Sequence, residues 1–310
     1  MRFAVIGAGA IGGYLGARLA GLGDEVLFVA RGAHLRAMQC DGLLAKTPDG
    51  ELFLARPQAS DVTDGFGGVD GVLVCVKMYD LAAALELVAP LLGPSTWVMT
   101  LQNGVDAPGM VGDAFGGERV VAGVAWFAGH IEAPGVLAVA GGMGGQPWLQ
   151  FGAVGGSSAV PEIAERLKLA GVPAEAVDDA KALLWHKFCL ISATSSAAAL
   201  TRRPIGAIRD DPDMRWLLEG AVAETVAVAN ACGVNLPPVE AATVMALIDR
   251  MPAAATPSQL TDLLAGKPLE LDWLSGTVRR LGRQGGVATP YHDVAYAALK
   301  PYRDGISEPR

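Results

Sequence analysis

The strongest constraint in this 310-residue chain lies near its start, where Gly7-Ala8-Gly9-Ala10-Ile11-Gly12 follows a short apolar run at residues 3–6. An apolar run that stops at a glycine is what a buried parallel strand looks like. Helical spacing then takes over across residues 11–22. The pattern G-x-G-x-x-G is weak alone, but between a strand and a helix of one βαβ unit it constrains the fold tightly. Gly7 makes the tight turn, Gly9 lets backbone approach a pyrophosphate, and Gly12 lets the helix lie close to the strand. The helix N-terminus adds free N–H groups and a partial positive charge for an anion.

Strand and helix go on alternating. Residues 25–30, 69–76 and 97–101 predict strands, and residues 80–92 predict a helix with Asp80 as its cap. Residues 43–55 read as a hairpin around Pro48-Asp49-Gly50. Residues 119–152 read as a run of strands and glycine turns that completes the same sheet. After residue 178 no strand is predicted. Helical stretches at 180–200, 215–232, 239–249, 270–282 and 292–299 are separated by Pro and Gly clusters. The expected fold class is α/β: a Rossmann-type, doubly wound sheet over residues 1–177, then an all-helical domain over 178–310.

Composition narrows the partners. With 51% hydrophobic and 18% charged residues, a disordered chain is excluded. The net charge of -8 gives no general attraction to nucleic acid or anionic lipid, so an anionic ligand needs a local cation. Cys40, Cys75, Cys189 and Cys232 are scattered, and His186 near Cys189 has no second ligand pair. Free thiols in a reducing compartment are expected, and no metal site. The opening MRFAVIGAGAIGG lacks the regions of a signal peptide, and the uncharged stretch 133–161 is too broken by Gly, Pro, Gln and Ser to span a membrane. A cytoplasmic location is expected.

Arg31 stands directly after the second strand. Enzymes that use NAD usually carry Asp or Glu there, whereas a guanidinium matches a phosphate. NADP(H) is therefore the expected dinucleotide; a surface arginine without a ligand is the plain alternative. Lys77 ends the apolar run LVCV and Asn103 ends LQN, at the strand edge where open sheets bind ligands. In ALLWHKFCLIS, Lys187 has apolar helical neighbours in Leu183, Leu184, Leu190 and Ile191. It either snorkels to solvent or points into a dry site, where its pKa would fall and suit proton donation. Ser258, Asp262, Glu270 and Asp272 lie in a stretch of helix and loop. Carboxylates there are usually caps or solvated groups, and Glu270 by itself reads as structural.

Taken in order, GAGAIG, Arg31, VCVK, LQNG, WHK, the Ser258…Asp262…Glu270-x-Asp272 block and the late GVATP resemble the ketopantoate reductases over nearly the whole chain. The resemblance implies NADPH-dependent reduction of a small 2-oxo acid, ketopantoate to pantoate in the family's case, for coenzyme A synthesis. It implies that Lys187 donates the proton and that Glu270 orients Lys187 or the cofactor hydroxyls. Residues 7–12, Arg31, Lys77, Asn103, Ala128 and Glu270 would hold the cofactor, and Asn103, Lys187 and Ser258 the substrate. Two further substrate positions and a third in the next turn carry Ile191, Ser195 and Ile205 where well-studied members have asparagines. Isoleucine cannot bond a hydroxyl, so this departure points to a less polar 2-oxo acid. The rival readings are a 3-hydroxy-acid or polyol-phosphate dehydrogenase and a non-catalytic NADPH sensor. Helices of such a second domain often pair, which makes a homodimer an option.

Overall fold

A computed structural model describes residues 1–142 and 145–305. The chain forms two compact units: Met1–Gln102 with Ala107–Ala180, and Asn103–Asp106 with Lys181–Arg310. The strands of the first are β1 (Arg2–Ile6), β2 (Glu25–Val29), β3 (Leu43–Thr47), β4 (Gly50–Leu54), β5 (Gln58–Ser60), β6 (Val69–Val74), β7 (Leu92–Thr100), β8 (Val120–Ala125), β9 (Phe127–Ala133), β10 (Val136–Gly142), β11 (Leu149–Ala153) and β12 (Ala174–Ala176). Its helices are α1 (Ala10–Gly21), α2 (Gly32–Asp41), α3 (Leu81–Val88), α4 (Ala107–Phe115) and α5 (Val160–Leu169).

Eight strands make the main sheet, in the order β12-β11-β8-β7-β6-β1-β2-β5. From β5 to β8 the pairs are parallel, and β11 runs antiparallel to β8. This is the Rossmann-type sheet that the alternation predicts. Its central strands are unbroken apolar runs because both faces are covered; Phe3 to Ile6 and Val72 to Val74 are all buried.

Residues 119–152 depart from expectation. Only β8 and β11 join the main sheet, while β9 and β10 pair with the β3–β4 hairpin in a second sheet, β4-β3-β10-β9. The reason is visible in the burial. Strand β8 is buried throughout, whereas β10 alternates and β9 is exposed beyond Phe127. Half-buried strands suit a sheet covered on one face. Helix α1 packs against both sheets, and its glycines make that possible. A methyl group at Gly16 would come within 2.5 Å of Phe28 of β2, and one at Gly13 within 2.5 Å of Leu137 of β10. Tyr14, Phe127 and Trp148 cluster there, with ring centroids 5.2 to 5.4 Å apart.

Two smaller expectations also change. The strand over 69–76 stops at Val74, and Asp80 makes no side-chain cap bond. It closes a 3-10 turn over residues 78–80 with helical φ and ψ, whereas a residue that caps through its side chain is typically extended.

The second unit contains α6 (Ala180–Thr201), α7 (Ile205–Arg209), α8 (Pro212–Ala231), α9 (Glu240–Arg250), α10 (Ser258–Leu264), α11 (Ser275–Gly285) and α12 (Pro290–Leu299), with no strand among its described residues. A buried polar network ties four of them together. The Ser192 and Thr225 hydroxyls are 3.0 Å apart, Thr225 lies 3.0 Å from His292 Nε2, and Ser196 lies 2.7 Å from Ser275. The single helix expected over 270–282 is broken. Residues 271–273 form a 3-10 turn, Leu274 takes φ -105° and ψ -99°, and α11 starts at Ser275. Among the described residues no helix is long and apolar enough to cross a membrane, and no three acidic, His or Cys side chains group to hold a metal.

Candidate active site

The glycine loop is shaped by three contacts. Gly7 and Ala8 both donate to the Val29 carbonyl, at 3.1 and 2.9 Å, and Gly13 donates to Gly9 at 2.7 Å. Gly7 has φ +97°, and a methyl group there would lie 2.9 Å from the Val76 nitrogen. At Gly12 a methyl group would overlap the Gly7 carbonyl oxygen. Gly9 is different, since nothing lies within 4 Å of where its methyl group would stand. It is the N-cap of α1 and supplies no side-chain cap, so the first-turn N–H groups, with buried Ala10 and half-buried Ile11, have no protein acceptor among the described residues. A cradle that is open only at its middle glycine fits a pyrophosphate.

A groove runs from this loop past Arg31, His34, Val76 and Asp80. Arg31 is exposed and is the N-cap of α2; its carbonyl accepts from the Leu35 N–H at 3.3 Å, while its guanidinium makes no hydrogen bond or ion pair among the described residues. Lys77 is half-buried in the turn after β6, and Ala128 is exposed near the start of β9. Two residues that the sequence reading passed over belong here. The Gln102 amide donates to the Val74 and Val76 carbonyls, at 2.8 and 3.2 Å, and so finishes the edge that carries Lys77. His34 bonds the loop itself through Ala8 O at 2.9 Å. Its only signal was a polar ring one helical turn beyond Arg31.

In the second unit Lys187 sits on α6 amid apolar neighbours. Burial pushes its ammonium group down to about 8, and the negative charge of Glu270 acts in the opposite direction. Glu270 is 5% exposed and stands just before the 3-10 turn. The sequence placed these two far apart on the chain; the fold brings the carboxylate to the amine. Ile191 and Ser195 follow Lys187 on one stripe of α6, half-buried and buried in turn. Gln259 of α10 donates to the Ser195 carbonyl at 3.5 Å, while Ser258 is exposed at the first position of that helix. Ile205 is fully buried, its N–H bonded to Ala255. The segment Asn103–Asp106 belongs to this unit because Asp106 accepts from Thr277 at 2.5 Å and from Arg280 at 2.6 Å. Asn103 is half-buried. Asp272 accepts from Tyr296 at 2.6 Å, a structural tie.

Two family profiles described as ketopantoate reductase PanE/ApbA match this chain, the first over residues 3–155 and its C-terminal counterpart over 179–303. The chain belongs to the ketopantoate reductase family. It is thus an oxidoreductase acting on CH–OH groups, in a family dependent on NAD(P). A 2-dehydropantoate 2-reductase of Mesorhizobium japonicum is 32% identical, over 97% of each chain. The crystal structure of a PanE/ApbA family ketopantoate reductase from Ralstonia eutropha JMP134 superposes with a TM-score of 0.88 at 31% identity, covering 98% of both chains. A D-mandelate dehydrogenase solved with NADH and anilino(oxo)acetate shares the fold at 22% identity, with a TM-score of 0.88 and 98% of both chains covered.

Proposed function

We propose that this ketopantoate reductase family member uses NADPH to reduce a 2-oxo acid to the 2-hydroxy acid, 2-dehydropantoate to pantoate, with Lys187 as the proton donor. The observation that carries the proposal is the Lys187 amine, held by burial near a pKa of about 8 with Glu270 acting on it. At neutral pH that group is charged yet ready to release a proton. When bound, the reduced nicotinamide supplies a hydride to the carbonyl carbon. Lys187 gives its proton to the carbonyl oxygen, and its charge stabilises the alkoxide that develops there, an effect worth roughly 3 kcal/mol in comparable sites. Glu270 favours the ammonium form and so keeps the donor loaded.

Residues 7–12 fit the pyrophosphate, and Arg31 provides an uncommitted guanidinium for a 2′-phosphate. Lys77, Asn103, Ala128 and Glu270 complete the cofactor assignment; Asn103, Ile191, Ser195 and Ser258 line the substrate. A second reading keeps the chemistry and changes the substrate. Ile191 and the fully buried Ile205 offer no hydrogen bond to a hydroxyl, which favours a less polar 2-oxo acid.

The test is NADPH oxidation, followed by absorbance, with 2-dehydropantoate beside a panel of unhydroxylated 2-oxo acids and with Lys187→Ala as control. Turnover of 2-dehydropantoate that disappears in Lys187→Ala supports the first reading. Turnover of the plain 2-oxo acids alone supports the second. Dinucleotide binding without turnover of any ketone overturns both in favour of a sensor.

A further inference from the structure

His34 is held at both ring nitrogens by main chain. The Gly135 N–H donates to Nδ1 at 3.0 Å, and Nε2 lies 2.9 Å from the Ala8 carbonyl oxygen. An N–H can only donate, so Nδ1 is the unprotonated nitrogen and the ring proton is on Nε2, donated to Ala8. Gly135 can make this bond because Pro134-Gly135 is the two-residue turn between β9 and β10, with Gly135 at φ +78°. The imidazole therefore links the second sheet's turn to the glycine loop.

The peptide joining Ala8 to Gly9 is planar and trans, so its C=O and N–H point in opposite directions. The Ala8 N–H is already bonded to Val29. Fixing the Ala8 oxygen on His34 therefore fixes the direction of the Gly9 N–H, which has no protein acceptor among the described residues. That N–H belongs to the one loop glycine whose outer side is open.

We propose that His34 is a positioning residue for the dinucleotide: it locks the Ala8–Gly9 peptide so that the Gly9 N–H is aimed at the pyrophosphate. The inference rests on the cofactor reading above. With both nitrogens committed to backbone, His34 contributes nothing to the choice between NADPH and NADH, which falls to Arg31.

Two conservative variants separate the two bonds. Glutamine places its amide nitrogen as many bonds from the backbone as Nε2 and keeps the bond to Ala8; asparagine places its oxygen as Nδ1 is placed and keeps the bond from Gly135. Titrations with NADPH and with NADH, by the nucleotide's fluorescence, are the readout. His34→Asn is expected to raise both Kd values about tenfold. His34→Gln is expected to stay within about threefold of the unaltered protein, although its melting temperature falls as the hairpin tie is lost. Equal affinities in the two variants overturn the proposal, as does a loss confined to NADPH. If the unaltered protein binds neither nucleotide, the cofactor reading falls and this inference with it. Should a variant not fold, the imidazole nitrogen shifts of the unaltered protein decide: an Nε2–H tautomer for His34 is expected, and an Nδ1–H or doubly protonated ring overturns the assignment.

Discussion

Two loop glycines that look alike in sequence differ in what surrounds them. A methyl group at Gly12 runs into the Gly7 carbonyl and Val5, backbone and core that have nowhere to go. Gly12→Ala is expected to cost about 2–3 kcal/mol in urea unfolding. Gly9 has φ -71° and open space, so Gly9→Ala is expected to leave stability within about 0.5 kcal/mol while sharply weakening NADPH binding in a fluorescence titration. At Lys187 the sign follows from the shift. The ordinary lysine value lies above 10, burial lowers it to about 8, and only the protonated form donates. The reduction rate should be level below pH 8 and fall about tenfold per pH unit above it. Glu270→Gln removes the charge that supports the ammonium, so the falling limb should move to lower pH in a pH–rate profile. The misfit of Lys187 among leucines was legible in the chain. The approach of Glu270 to that amine was not legible in local pattern, which reads a carboxylate in a loop as solvated; in the chain only the family resemblance pointed to it.

At the scale of elements, the N-terminus of α12 shows how the helical unit is assembled. Thr289 makes no side-chain cap bond. Instead the buried Glu224 of α8 accepts from the Tyr291 N–H at 2.8 Å and the His292 N–H at 3.0 Å. Desolvation raises the pKa of that carboxyl, and the two N–H groups pull it back down. Glu224→Ala is expected to cost about 2 kcal/mol and to speed amide exchange in the first turn of α12. Nothing in the spacing of GVATP predicts a cap supplied from another helix. Strand periodicity carried further. The apolar runs within β1, β2 and β6 announced a sheet covered on both faces, and the β3–β4 hairpin was visible in Pro48-Asp49-Gly50. The destination of β9 and β10 was lost because strand propensity says where a strand is, and partner choice depends on which faces stay exposed.

For the whole molecule, the buried His292 sets an acid limit. Burial lowers its pKa to about 4, against 6.5 in an open chain. Between those values the unfolded chain binds a proton that the folded one refuses, so stability falls as pH drops from 6.5 towards 4 and levels off below. The loss is roughly 3 kcal/mol, and it should appear in urea unfolding across that range and flatten in His292→Gln. The raised carboxyl of Glu224 works in the opposite sense, because protonation there favours the folded form as pH falls.

The four residues Asn103–Asp106 leave the first unit, join the helices through Asp106, and return. The two units are therefore not interchangeable cassettes. A chimera cut at residue 180 would pair Thr277 and Arg280 with an acceptor from another lineage, so exchange of substrate preference between relatives is expected to work only when residues 103–106 travel with the helices they serve.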